Sequence, residues 1–306
     1  MTGGAGRGGL DEQEAADLAA PTADVTDVTD TAGIAVASQV SLAVAAKAAA
    51  ENFPVALRVL PRRYRTHLTA LYGFARLTDD IGDEPLPGMP PNATEAEITK
   101  TRLALLDDLQ ADVAKIYDGQ QPQLDAIRAL KATVDQCGVP REPLDDLIQA
   151  NRQDQLVTRY ETFEELTRYC ELSANPVGRV VLHIVTKPTP ERIRMSDSIC
   201  TALQLIEHSQ DVAEDFANGR IYLPREHRDA FGVTEADLAE KLLDEGAPLI
   251  GTLKGAARIA IAGYVAGGRA ALKAIRDSGY DVLRSTPKPG KTRTIRAMAR
   301  CYVKGR

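Results

Sequence analysis

An all-α protein is predicted by three properties of the chain. From about residue 34 onward, nearly every segment repeats its apolar residues at helical spacing. No stretch alternates apolar and polar residues with β-branched enrichment, so strand signals are nearly absent. The Pro- and Gly-rich breaks fall between the periodic segments.

Taken in order, residues 1–33 are Gly-, Asp- and Thr-rich with little to bury, and read as a disordered acidic tail. Residues 34–306 read as a single all-α domain of a size one helical core can sustain. Helices are expected over 37–50, 54–59, 63–82, 95–117, 122–137, 141–153, 161–174, 176–186, 190–217, 234–243 and 246–279. Pro85, Pro87, Pro90 and Pro91 mark a loop after the third of these, and Asn218-Gly219 ends the ninth. Thr286-Pro287-Lys288-Pro289-Gly290 breaks the chain again before a short basic helix. The run Ile34–Ala50 contains Ser38, Gln39, Ser41 and Lys47, too short and too polar to cross a bilayer.

Composition narrows the function. Apolar residues make up 44% and charged residues 26%, which suits a globular protein with a sizeable core. There is no Trp, aromatic content is 5% and the net charge is −6, all of which argue against a nucleic-acid partner. Cys137, Cys170, Cys200 and Cys301 show no CxxC spacing and read as reduced thiols of a cytoplasmic protein. No secretory signal is expected, because the Gly-rich start lacks an apolar stretch behind a basic one. Charge is uneven: Arg284–Arg306 carries eight Lys or Arg and no acid. That tail is expected as a solvated last helix, or as a peripheral contact with anionic lipid at the inner face of a membrane.

Two acidic clusters carry the chemistry: Asp79-Asp80-Ile-Gly-Asp83 and Asp211-Val-Ala-Glu214-Asp215. With Leu68 as zero on a helical wheel, Tyr72 lies at about 40°, Ala75 at about −20°, Asp79 at about 20° and Asp83 at about 60°. The carboxylates thus continue an apolar stripe, with Arg76 beside it at about 80°. Gln204, Glu207, Asp211 and Asp215 form a second polar ladder, while Leu203, Ile206 and Val212 take other faces. Like charges stacked four apart repel, so a helix gains no stability from such ladders. On facing helices they could hold Mg²⁺, which prefers oxygen ligands and keeps waters or substrate phosphates in its shell. Such a metal would stabilise a departing diphosphate, with Arg76 and Arg220 as basic partners at the mouth. A di-iron bundle is disfavoured, because none of His67, His183, His208 and His227 lies three residues after a Glu. His208 and His227 read as structural or exposed residues.

The segment Tyr72-Gly-Phe-Ala-Arg76-Leu-Thr-Asp79-Asp80-Ile-Gly-Asp83 resembles the first aspartate-rich motif of the squalene/phytoene synthase family. Gln204 through Asp215, followed by Gly219-Arg220-Ile-Tyr222-Leu-Pro224, resembles its second. Tyr169-Cys170-Glu-Leu-Ser173-Ala174-Asn175-Pro176-Val177-Gly178-Arg179 resembles its central helix. That stretch and Glu51-Asn52-Phe53-Pro54 are most similar to the hopanoid-pathway branch that forms hydroxysqualene. The resemblance covers about 40–300 and implies an isoprenoid synthase fold, a helical bundle around a deep apolar cavity with Mg²⁺ at its mouth.

It further implies Asp79, Asp83, Asp211 and Asp215 as catalytic metal ligands, with Asp80 and Glu207 in the same set and Tyr72 as a catalytic cavity residue. Phe53, Ala174, Val177 and Gly178 match positions along the hydrocarbon. Gln204, Arg76, Arg220 and Tyr222 match positions near the diphosphate. The chain departs from much of the family at Glu207, where Asn is frequent, and at Gln210, where many relatives carry Arg. The expected reaction converts presqualene diphosphate and water to hydroxysqualene and diphosphate, with other enzymes of the squalene/hopanoid pathway as potential partners. Condensation of two farnesyl diphosphates is the alternative on the same fold, and a non-catalytic isoprenoid-binding protein the alternative of another class. The absence of Gly-x-Gly-x-x-Gly agrees with no reductive step.

Overall fold

The computed structural model of the protein describes residues 60–229 and 235–306. The acidic tail, the expected helices at 37–50 and 54–59, and Phe53 lie outside the described residues. Thirteen α-helices follow within them: α1 (Arg62–Asp83), α2 (Glu95–Tyr117), α3 (Asp125–Cys137), α4 (Glu142–Asp154), α5 (Phe163–Ser173), α6 (Asn175–Val185), α7 (Pro190–Gln210), α8 (Val212–Ala217), α9 (Arg225–Asp229), α10 (Glu235–Gly246), α11 (Leu249–Thr252), α12 (Gly255–Asp277) and α13 (Lys291–Lys304).

Local chemistry fixes several of the ends. Thr94 and Glu97 form a reciprocal capping box at the start of α2, and Thr162 and Glu165 do the same for α5. Pro143, Pro176 and Pro190 occupy first turns, where the missing N–H costs no hydrogen bond. α3 stops at Gly138, whose φ of 64° is left-handed.

The helix expected over 190–217 divides at Asp211, which has φ −100° and ψ 16°. The break falls among Glu207, Asp211 and Asp215, where an unbroken helix would stack like charges on one face. The helix expected over 246–279 divides at Leu253 and Lys254, and Gly255 there takes φ 56°. The short α9 was not foreseen.

α7 is central, packing against α5, α6, α10 and α12, while α1 packs against α2, α3, α4 and α6. Phe74, Leu77 and Ile81 of α1, Leu106 and Leu109 of α2, Leu144 and Ile148 of α4, Leu182 of α6 and Leu205 of α7 are fully buried. These side chains cover one face each of their helices, which is what binds the bundle together. The extended pairing among the described residues is one parallel bridge between Arg159 and Ile221, with Ile221 N–H donating to the Thr158 carbonyl at 2.8 Å. It pins the chain after α8 beside the end of α4. Residues two apart on an extended strand share a face, so Arg220 and Tyr222 project together.

Candidate active site

Two cavities open along α1 and α7. The first, of about 240 Å³, is lined by Leu68, Leu71, Tyr72 and Ala75 of α1, by Val177 and Gly178 of α6, and by Ile199, Cys200 and Leu203 of α7. The second, of about 290 Å³, begins one turn further along both helices, with Asp79 and Asp83 of α1 and Gln204, Glu207 and Asp211 around the end of α7. Ala75 to Asp79 and Leu203 to Glu207 are each one helical turn. The lining therefore changes from apolar to carboxylate on both sides together.

Asp215, Arg220 and Tyr222 close the polar cavity on one side, and Asn151 and Asp154 of α4 with Tyr169 of α5 on another. Asp79 is open to the cavity yet crowded by protein. This desolvation, opposed by the Asn151 hydrogen bond and reinforced by Asp83, raises its carboxyl from an ordinary 3.8 to about 6. Burial also lifts Asp215 to about 6, with Asp211 adding to the shift. Glu207 is raised by burial, then by Asp211 and Asp79, so it senses both acidic clusters at once. Asp211 is raised by burial and Glu214, and held down by Lys288.

Six carboxylates line this cavity, and Arg220 is its cationic side chain, held 2.7 Å from Asp83. Among the described residues, no three His, Cys, Asp or Glu side chains converge closely enough to hold a metal by themselves. The donor set is nonetheless hard oxygen with excess negative charge, which suits a divalent cation that keeps much of its water.

Not all of the expected residues meet here. Asp80 is buried and lies 2.8 Å from the Arg76 Nε, and Arg76 also approaches Glu84 at 3.6 Å. Neither Asp80 nor Arg76 lines the polar cavity. The i, i+4 ion pair draws Arg76 toward Asp80 on its own helix, although the wheel places Arg76 beside the stripe. Tyr72, Val177 and Gly178 line the apolar cavity. Ala174 lies outside both linings, as the joint where α5 ends and α6 begins.

Other residues of the site were not foreseen. Asn151 donates to Asp79 Oδ1 at 3.2 Å. Asp154 accepts from the Tyr169 hydroxyl at 2.7 Å and the Tyr222 hydroxyl at 3.2 Å, and burial lifts it to about 6. The signal was present in α4: Leu144, Leu147, Asn151 and Asp154 share one stripe at helical spacing, as Leu68, Tyr72 and Asp79 do. His208 is buried, with its ring 3.8 Å from that of Tyr222, and burial lowers its pKa to about 3, so it is a neutral wall residue. Its ring lies 3.2 Å from Gln204. Gln210 donates to the Pro287 carbonyl at 2.5 Å, which brings Lys288 near Asp211. No local pattern announces that contact.

Helices that bring acidic clusters to the mouth of an apolar cleft define an isoprenoid synthase fold. The solved squalene synthase of Alicyclobacillus acidocaldarius superposes with a TM-score of 0.68 at 35% identity, covering 83% of this chain and 96% of that one. A dehydrosqualene synthase of known structure gives 0.73 at 23% identity, covering 91% and 99%, and shares the fold. The chain belongs to the squalene/phytoene synthase family, whose sequence profile matches residues 46–293. It is 37% identical to the hydroxysqualene synthase of Zymomonas mobilis over 61% of this chain and 59% of that protein's length. It is 35% identical to that of Rhodopseudomonas palustris over 74% and 72%. Among the described residues no helix is long and apolar enough to cross a membrane.

Proposed function

We propose that the chain converts presqualene diphosphate and water into hydroxysqualene and inorganic diphosphate, with Mg²⁺ at Asp79, Asp83, Glu207, Asp211 and Asp215. The observation that supports this reading is the turn-by-turn switch from apolar to carboxylate lining on α1 and α7. A bound Mg²⁺ would supply Lewis-acid stabilisation of the leaving diphosphate. Arg220 faces the same space and would bind the diphosphate oxygens, while Tyr222 beside it gives its hydroxyl proton to Asp154 at 3.2 Å. The C–O bond breaks with both electrons leaving on the diphosphate, and the cyclopropylcarbinyl cation rearranges among Leu71, Tyr72, Val177 and Leu203. These walls exclude bulk water, so capture waits for one placed molecule. That water forms the new C–O bond and loses its proton. Asp154, held between two tyrosine hydroxyls, is the protein group proposed to receive it. At about 240 Å³ the apolar cavity lies below the roughly 300–1,000 Å³ usual for ligand sites. Binding a branched triterpenoid would therefore open it further.

A second reading, condensation of two farnesyl diphosphates, is favoured by 29% identity to the presqualene diphosphate synthase of Rhodopseudomonas palustris over 65% of this chain and 67% of that protein. Purified protein with Mg²⁺, given either substrate without NADPH, separates the two. Hydroxysqualene from presqualene diphosphate supports the first. Presqualene diphosphate formed from farnesyl diphosphate replaces it with the second, and turnover of neither leaves an isoprenoid-binding protein.

A further inference from the structure

The last helix, α13, has three faces with different chemistry. Cys301 is buried on α12, and Ala297 and Met298 pack beside it. The helix is anchored as well as packed: the Tyr302 carbonyl accepts from Arg258 at 3.1 Å, and Gly305 closes the end in a left-handed conformation. On the outer side, Ile295, Ala299, Tyr302 and Val303 fall within about 100° of one another on the helical wheel. Ile295 is 66% exposed and Val303 79%, which is unusual for β-branched apolar side chains on a well-formed helix.

Between these two faces runs a basic one. Arg296, Arg300 and Lys304 follow the apolar stripe around the helix. With Arg269 and Lys273 of α12, they line a cavity of about 590 Å³ with no acidic residue in its wall. Arg269 is paired with Asp244 and Lys273 with Asp277. Arg296, Arg300 and Lys304 make no ion pair among the described residues.

We propose that α13 docks on a lipid bilayer bearing anionic headgroups, with Ile295 and Val303 sunk below the phosphates, Tyr302 at headgroup level where the Arg258 guanidinium lies over its ring at 4.9 Å, and Arg296, Arg300 and Lys304 in contact with the phosphates. An exposed apolar stripe flanked by cations suits the membrane interface, where the stripe leaves water and the cations meet phosphate at the same depth. A second copy of the chain is a poor occupant, since α13 carries no acidic residue to pair with the other copy's cations and an antiparallel two-fold contact on this face would bring the two basic edges together. A soluble anion would satisfy the cations and leave the stripe in water.

The test uses the full chain with vesicles of phosphatidylcholine alone or mixed with phosphatidylglycerol, read by co-sedimentation. Binding to the anionic vesicles should be roughly tenfold or more above the neutral ones and should fall with salt. Ile295→Ser with Val303→Ser should remove it at unchanged helical content. Arg296→Ala with Arg300→Ala should weaken it by about fivefold per charge. Equal binding to both vesicles, or full binding by the Ser variant, overturns the proposal. So does inorganic diphosphate that displaces the protein as fully as added salt of equal ionic strength cannot, since that marks a soluble-anion site. A dimer in solution that the Ser variant dissociates assigns the face to a second copy instead.

Discussion

Asn151 of α4 donates its side-chain amide to Asp79 of α1 at 3.2 Å, and it can do so because Gly82 leaves room beside it. A Cβ on Gly82 would stand 2.6 Å from the Asn151 Oδ1, so any side chain there forces Asn151 to move. Asp79 would then lose the one hydrogen bond that opposes its desolvation. Gly82→Ala is expected to cost about 1–3 kcal/mol of stability and to lower turnover of the diphosphate substrate tenfold or more. Asn151→Ala should reproduce the loss of turnover with a smaller loss of stability. Steady-state rates and thermal unfolding of both variants check this, and a Gly82→Ala enzyme of normal rate would break the link between Gly82 and the site.

The raised carboxyls predict how stability responds to pH. Asp79 binds its proton up to about 6 in the folded chain and to 3.8 in the unfolded one, so the native state holds more proton between those values. Stability from this group is therefore present at low pH and lost as pH rises through about 6. His208, lowered by burial from 6.5 to about 3, has the opposite slope and is common to parent and variant. Without divalent cation, Asp79→Asn should gain on the parent in melting temperature as pH rises from 4 to 7. Added Mg²⁺ should narrow the gap by stabilising the parent more than the variant, which keeps four of the five proposed ligands, and the variant should have no measurable turnover. A gap that narrows with pH in metal-free buffer contradicts the assignment.

Arg220 is the cation of the polar cavity, and its pairing with Asp83 at 2.7 Å positions it there. Arg220→Ala is expected to lower kcat/KM by tenfold to a hundredfold, a loss of about 1.4–2.7 kcal/mol in transition-state binding. Arg220→Lys should recover part of that, because charge returns without the planar fork. Arg220 also holds down the carboxyls of Asp154 and Asp215, so without divalent cation the melting temperature should fall for Arg220→Ala and be largely kept by Arg220→Lys. Kinetics and unfolding on the same samples distinguish a binding role from a structural one.

Local rules explain why much of this was readable in advance. α2 runs from Glu95 to Tyr117, the span expected from periodicity, because its capping box and its apolar stripe specify the same segment. The phase of Asp79 and Asp83 relative to Leu68 placed both in a cavity for the same reason. Arg76 shows the limit of that method: a wheel gives direction, and cannot rank the cavity against Asp80 one turn away. Long-range pairings were out of reach. Asn151 meets Asp79 across 72 residues and Gln210 meets Pro287 across 77, and neither partner's neighbours encode the other. The division at Asp211 depends on how closely three carboxylates stack, which a helical pattern alone does not weigh.

Gly178 sits where α6 and α7 press together against the apolar cavity. A Cβ there would lie 2.5 Å from both the Cys200 Sγ and the Ser196 Oγ. Gly178→Ala should therefore destabilise the chain by about 1–3 kcal/mol and narrow the space for the hydrocarbon. The carboxylates one turn beyond Ala75 and Leu203 are untouched, so affinity for inorganic diphosphate with Mg²⁺ should remain near that of the parent. Turnover of presqualene diphosphate should fall severalfold. Because the obstruction is two small side-chain atoms, Ser196→Ala with Cys200→Ala in the same chain should return much of both losses. Such a return would appear as a coupling between the sites of about 0.5–3 kcal/mol. Thermal unfolding of the single, double and triple variants measures it. Strictly additive losses would mean that Gly178 matters for the backbone of α6 and not for its closeness to α7.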